Sequence, residues 1–281
     1  PFESGYAFAS SNALSIALAE GHAFVGASFH GVNILDAFAI SGCGARIVPA
    51  AAHADGVNGT RWRTDLVLTN ATDEVVSADL RFINFFTGPP PSTDQQVVVP
   101  AGGSVSIEDV MGKWGYGEYA TVVGAVAVEG APELVVTSRT FTDGGTAGTA
   151  GQFVPSFHSD EAARAGEEVY CLPLSRSAAY RSNLGVVNIS NQQYLVDIKA
   201  FDHFGNYLGE EYFYVMPWSG FQKNDILGLF TSTDQEGAFA VISAAFDTNP
   251  PAGPLFFAYA SVVDNRTGDP AFLPAVRPYG T

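Results

Sequence analysis

Positive charge is scarce in this chain. The 13 Lys and Arg residues face 29 Asp and Glu, for a formal net charge of −16. A field of that sign repels phosphate backbones and anionic headgroups, so neither nucleic acid nor a membrane surface is an expected partner. Cysteine is almost missing, with only Cys43 and Cys171, and no Cys-x-x-Cys or His-Glu-x-x-His occurs. The five histidines, His22, His30, His53, His158 and His203, never fall at the spacing of one helical face, so no metal site is expected. No Gly-rich loop followed by Lys is found, and no cofactor is expected. No long apolar run exists either: the nearest candidate, residues 4–19, is broken by Gly5, Asn12 and serines, which excludes a membrane-spanning helix. There is no basic leader and no initiator Met, so the chain reads as a mature or excised product.

What is present points to β structure. Hydrophobic residues make up 47% of the chain and charged ones 15%, enough apolar material for real cores. Thirty glycines and 16 prolines punctuate segments rich in Val, Phe, Tyr and Thr.

The chain also repeats itself. Arg63-Thr64-Asp65-Leu66-Val67-Leu68-Thr69-Asn70 returns more than a hundred positions later as Arg181-Ser182-Asn183-Leu184-Gly185-Val186-Val187-Asn188. Glu108-Asp109-Val110-Met111-Gly112 returns as Asn224-Asp225-Ile226-Leu227-Gly228, Gly124 to Val128 as Gly237 to Val241, and Phe153-Val154-Pro155 as Phe272-Leu273-Pro274. A period of this length is a whole domain rather than a solenoid unit. Within each copy, short alternating runs separated by turn residues predict strands at Asp65–Thr69, Ser77–Asn84, Gln96–Val99, Ser104–Ile107, Gly124–Val128 and Leu134–Phe141. The second copy repeats them at Leu184–Ile189, Leu195–Asp202, Tyr212–Met216, Phe221–Lys223, Ala238–Ala245 and Leu255–Val263. The fold class expected is all-β: two tandem immunoglobulin-like β-sandwiches, 45–156 and 169–281, joined by a polar linker at 157–168. The repeated Asp109 and Asp225 read as N-caps of single helical turns closed by Gly112 and Gly228.

Residues 1–44 differ. Leu14, Ile16 and Leu18 alternate with small residues, Phe24 and Val25 sit in a second run, and Ile34 and Leu35 in a third, with Gly5–Ala9 in front. This is a β-meander too small to hold a core alone, so it is expected to lie on the repeat domains or to pair with strands of another chain. Leu14, Ile16, Leu18, Phe24, Val25, Ile34 and Leu35 are therefore the candidates for inter-subunit strand pairing. The two cysteines near the starts of the copies are either a Cys43–Cys171 disulfide, worth roughly 4–5 kcal/mol in chain entropy, or two separate buried thiols.

Trp62-Arg63-Thr64-Asp65-Leu66, Tyr180-Arg181-Ser182-Asn183-Leu184-Gly185 and Ser261-Val262-Val263-Asp264-Asn265-Arg266-Thr267-Gly268-Asp269-Pro270 resemble a tandem immunoglobulin-like module at the C-termini of secreted bacterial proteins. Gly31-Val32-Asn33-Ile34-Leu35-Asp36 resembles part of one blade of an LVIVD-type β-propeller, without the ring of blades that would complete one. The resemblance implies an extracellular or cell-surface location and carries no catalytic residues with it.

Other constellations have plain readings. Asp264, Asn265, Thr267 and Asp269 put four oxygen-bearing side chains near a glycine, but their spacing is not an EF-hand and fits an Asx-turn. Ser28 and His30 share a strand face without the elbow or helix a nucleophile needs. Trp62, Trp114, Trp218, Tyr116, Tyr119, Tyr180, Tyr207, Tyr212 and Tyr214 supply rings for sugar stacking or for core packing. Asn58, Asn70, Asn188 and Asn265 begin Asn-x-Ser/Thr triplets. The expectation is a non-enzymatic, extracellular, self-assembling structural protein, a homopolymer or surface-appendage subunit. The alternatives are an adhesion or glycan-binding module, or the accessory tail of a secreted hydrolase.

Overall fold

The computed structural model describes the strand backbone at 13–19, 22–27 and 31–36. From residue 44 onward it describes all residues except 57–58, 86–94, 119, 132, 144–147, 247–252, 254 and 279–281. The protein is all-β and forms two compact units, Pro1–Cys43 and Gly44–Thr281.

The first unit is an antiparallel meander of β1 (Ala13–Ala19), β2 (His22–Ala27) and β3 (Gly31–Asp36), in that order across the sheet. Ile16 stands opposite Val25, Leu18 opposite Ala23, and Phe24 opposite Ile34. The seven pairing candidates therefore all fall on these strands, whereas Gly5–Ala9 lies outside the described residues.

The second unit holds both repeats. Its N-terminal half contains β4 (Arg46–Asp55), β5 (Arg61–Asn70), β6 (Val76–Asn84), β7 (Gln95–Val99), β8 (Ser104–Ile107), the one-turn helix α1 (Val110–Lys113), β9 (Val122–Glu129), β10 (Leu134–Asp143), β11 (Thr149–Pro155) and the short β12 (Phe157–His158). Its C-terminal half contains β13 (Glu168–Arg176), β14 (Tyr180–Asn188), β15 (Tyr194–Phe201), β16 (Tyr207–Val215), β17 (Ser219–Lys223), the 3-10 turn Ile226–Leu229, β18 (Gln235–Ala245), β19 (Phe256–Asp264) and β20 (Pro270–Pro274). In the C-terminal half, β13-β18-β15-β16 and β17-β14-β19-β20 form two four-stranded antiparallel sheets. They share one apolar cluster, to which Cys171, Val196, Ile198 and Ala240 come from the first sheet and Leu184, Val186 and Ala258 from the second.

The N-terminal half repeats this order. β4-β9-β6-β7 corresponds to β13-β18-β15-β16, and β8-β5-β10-β11 to β17-β14-β19-β20. The difference is at β4, whose last residues Ala54 and Asp55 cross over to pair with Trp62 and Arg61, so the two layers join into one nine-stranded sheet. Leu66, Leu68, Leu80, Val126 and Val128 are buried between the layers. Alternation along β5 and β10 puts every second residue inside, the signature of strands with one wet face.

The stretch 157–168, expected as a polar linker, is built into the fold. Phe157 and His158 pair with β4, Ser159–Glu161 form a 3-10 turn, and Ala162 and Ala163 are buried, with Ala163 bridged to Phe256. Phe157 packs on Phe257 of the other half with ring centroids 5.6 Å apart. The halves also touch through hydrogen bonds from Ser261 Oγ to Gln152 Oε1 (3.0 Å), from the Gly151 amide to Asp269 Oδ1 (3.0 Å) and from Ser219 Oγ to the Asn84 carbonyl (2.9 Å). A Cβ on Gly220 would lie 2.5 Å from the Phe85 ring, so only glycine admits that contact.

Candidate functional site

The polar residues of the repeat each have a backbone or side-chain partner of their own. Thr64 on β5 accepts from the Ala52 amide (2.8 Å) and donates to the Ala52 carbonyl (3.2 Å); Ser182 on β14 does the same to Ser175 (2.8 and 2.8 Å). Asp65 Oδ1 accepts the Asp109 amide at 2.9 Å, and Asn183 Oδ1 accepts the Asp225 amide at 3.2 Å. These hydroxyl and carbonyl-type oxygens tie a sheet strand to its neighbour and to the following turn, which is why the pattern Arg-Thr/Ser-Asp/Asn recurs.

Asp109 and Asp225 occupy the N-cap positions expected of them, but in left-handed backbone conformation (φ 46° and 48°) and without any side-chain cap bond. Their carboxylates turn instead to a basic side chain on the first strand of each half. His53 Nδ1 lies 2.9 and 3.0 Å from the Asp109 carboxylate oxygens, with Arg63 Nε at 3.3 Å, and Arg176 Nε donates to Asp225 Oδ2 at 3.2 Å. His53 is fully buried, and its Nε2 faces the Gly117 carbonyl at 3.1 Å. The glycines of the motif follow from this geometry: a Cβ on Gly228 would stand 2.5 Å from Asp225 Oδ2, and one on Gly112 3.0 Å from Asp109 Oδ2. The Asp-x-x-Gly block is a clasp between strands. The repeat gave its position, while its role as a strand-to-turn clasp depends on partners that only the fold brings near.

Asn70 and Asn188, both fully buried, hold the next loop in each half. Asn188 Nδ2 donates to the carbonyls of Gln192 (2.7 Å), Met216 (2.9 Å) and Val215 (3.5 Å), while its Oδ1 accepts the Ser190 amide and hydroxyl at 2.8 Å each. Asn70 repeats the set with Glu74, Pro100, Val99 and Thr72. Neither side chain is accessible to glycosylation in the folded chain. Asn265 is engaged by Arg181 Nη1 at 2.6 Å, and Asn58 lies outside the described residues.

The acidic loop behaves as an Asx-turn. Asp264 Oδ1 accepts the amides of Arg266 (2.7 Å) and Thr267 (3.1 Å), and these bonds, the Thr267 one foremost, hold its carboxyl below the usual carboxylate range. Asp269 is spent on the contact with Gly151. Among the described residues, no group of three or more His, Cys, Asp or Glu is placed to hold a metal ion. Ser28 and His30 lie outside the described residues. Cys171 is a buried thiol in the second core, with no disulfide partner among the described residues and pushed up to about 12 by burial, and Cys43 lies outside the described residues.

The aromatics separate into core and surface. Trp114 is fully buried against Phe82, and Tyr116 meets the same ring edge-on, so neither can stack on a sugar. On the outer face of β13-β18-β15-β16, Tyr170, Phe239, Phe201 and Tyr207 form a row across all four strands. Phe201 and Phe239 are 5.0 Å apart at 12°, so they lie against each other and cover each other's faces. Tyr207, Tyr212 and Tyr214, on the edge strand β16, remain exposed together with Met216 just beyond it. Glu210 and Asp197 stand near these rings; burial first, then those carboxylates, raises the Tyr207 and Tyr212 hydroxyls. Tyr180 is exposed elsewhere, and Tyr119 lies outside the described residues.

Trp218, in the turn after β16, has φ 49°, where the corresponding turn of the first half uses Gly102 at φ 59°. The matching backbone bonds, Trp218 amide to Ser190 carbonyl (3.2 Å) and Gly102 amide to Thr72 carbonyl (2.9 Å), establish the equivalence. A bulky residue in the left-handed region is a steric outlier.

No protein-family model and no curated protein matches the chain. Among solved structures it is similar to the Pleurotus ostreatus lectin in its apo form, at 10% identity and a TM-score of 0.15 over 84% of this chain and 78% of that one. A likeness that weak supports no conclusion on fold or function.

Proposed function

We propose that the protein is a non-enzymatic, extracellular structural protein that assembles with copies of itself, its N-terminal strands pairing with a neighbouring subunit. The observation that carries this reading is the separate compact unit at Pro1–Cys43, a three-stranded sheet of 7-, 6- and 6-residue strands. A unit of that size buries too little apolar surface to be stable unaided, and chains near this length ordinarily rely on a disulfide, a metal or association. The body is read as two tandem immunoglobulin-like sandwiches of a secreted bacterial protein, supported by the strand-for-strand correspondence of its halves and by the polar clasps that recur in both. The test is light scattering and electron microscopy on the full chain beside a version lacking residues 1–43. The reading requires large species from the first and monomers from the second. Monomers from both would end it.

A second reading, adhesion through a glycan, is favoured by one observation: Tyr207, Tyr212 and Tyr214 are exposed near Glu210 and Asp197. Open ring faces and neighbouring carboxylates suit stacking and hydroxyl recognition. A glycan array read with the Tyr212→Ala and Tyr214→Ala variants discriminates it: retention that depends on both rings supports adhesion.

A further inference from the structure

We propose that the open edge of β16 is the seam on which a second copy of this chain lays its strand β1. This rests on the self-assembly reading and names the acceptor surface for it.

The argument begins with the edges of the sheets. The outer flank of β20 lies at β11, where the Gly151 amide donates to Asp269. β17 is covered by β6, through Ser219 and through Phe85 against Gly220. β13 exchanges both backbone bonds of Tyr170 with Val276, at 2.8 and 2.9 Å. β7 and β8 have only five and four residues. Among the described residues of 44–281, β16 is the longest strand hydrogen-bonded along one flank alone, with nine residues facing β15 only. Such an edge is normally guarded by charged side chains, Pro, a bulge or a covering loop. The first half of β16 has two of these, the exposed Glu210 and Glu211 and a bulge at Leu208, which leaves the stretch from Tyr212 onward as the open part. The sequence Tyr207–Val215 contains neither Lys nor Pro and exposes Tyr212 and Tyr214, at 47% and 68%.

Charge selects the occupant. In a chain of −16, two copies meet at least cost where neither surface adds acid to acid. The half of the seam from Tyr212 to Met216 has no charged residue, and β1, Ala13–Ala19, has none either. Among the described residues β1 is an outer strand of its own sheet, paired there with β2. Strand addition would satisfy the edge of β16, with apolar contacts from Tyr212, Tyr214 and Met216. Trp218 adds an independent sign. The first half turns this corner with glycine, whereas the second holds an indole there in a strained backbone state, and strain of that kind is kept at surfaces that do something.

The experiment is sedimentation velocity on the full chain and on its Tyr212→Lys/Tyr214→Lys variant, each checked for an unchanged thermal melt. The exposed positions tolerate lysine in the folded subunit, while two buried ammonium groups would block the seam. At least a tenfold weakening of association is expected. On the unsubstituted chain, amide exchange of Tyr207–Val215 should slow as concentration rises. Association that disappears on removing residues 1–43 but ignores the lysines overturns the β16 seam and leaves the self-assembly reading standing. A full chain that stays monomeric overturns both. Protection of β16 that does not vary with concentration shows the seam filled within one chain and also overturns the proposal.

Discussion

At the scale of single residues, the clasps make unequal predictions although the repeat makes them equivalent. Asp109→Ala leaves the buried His53 facing no carboxylate, and an unpaired buried polar group costs about 2–3 kcal/mol. Asp225→Ala leaves Arg176, which is partly exposed and finds water, so the cost falls to roughly 1 kcal/mol. Urea unfolding of the two variants checks the order, and equal losses would contradict the geometry. Asn188→Ala removes three donated and two accepted bonds inside the fold and should cost about 3 kcal/mol or more, measured the same way. Cys171 makes a chemical prediction. A thiol held near 12 by burial has almost no thiolate at neutral pH, so iodoacetamide should miss it in the native protein and label it in urea without reductant. Peptide mass spectrometry reads the result, and protection that persists in urea until a reductant is added would establish a disulfide.

At the scale of elements, much of the strand map was legible. Gln96–Val99, Ser104–Ile107 and Leu134–Phe141 fall inside β7, β8 and β10, because an exposed face alternates with a buried one. The β11 and β20 strands were visible only as the repeated Phe-x-Pro strings, since their burial is mixed. The function of the Asp-x-x-Gly block was hidden for a different reason. A carboxylate at a helix start reads locally as a cap, and only the fold brings His53 or Arg176 to its far side. The edge at β16 was equally hidden, because which strand ends a sheet is set by long-range pairing and not by its own sequence. The Asx-turn at Asp264 and a second one at Asp202, whose Oδ1 accepts the Phe204 amide at 2.8 Å, carry a pH prediction. Bonds from Thr267 and Arg266 lower the Asp264 carboxyl, and the side chain of Asn206 with the amides of Asn206 and Phe204 lowers that of Asp202. Groups with depressed folded values add stability above the unfolded carboxylate value of about 3.9 and lose it as pH falls through the folded one. Thermal melts from about pH 5 to pH 2 should therefore decline less steeply in the Asp202→Asn/Asp264→Asn variant than in the parent.

At the scale of the whole molecule, acidity and assembly oppose each other. Repulsion between copies of charge −16 is screened by salt, so self-association should strengthen between about 0.05 and 0.5 M NaCl, as sedimentation would show. A glycan-bridging surface need not share that trend. The duplication that is plain in the sequence gives no sign of how tightly its products are joined. That junction depends on Gly220, Gln152 and Ser261, each unremarkable in its own strand.

The insertion of 157–168 into the sheets, with Phe157 against Phe257 and Ala163 bridged to Phe256, leaves no slack tether between the halves. Beads on a flexible string lengthen one by one when pulled, each giving its own peak in a force trace. Pulled between residues 44 and 278, the two halves would carry the load through fastened parts, and a single rupture should replace the expected pair.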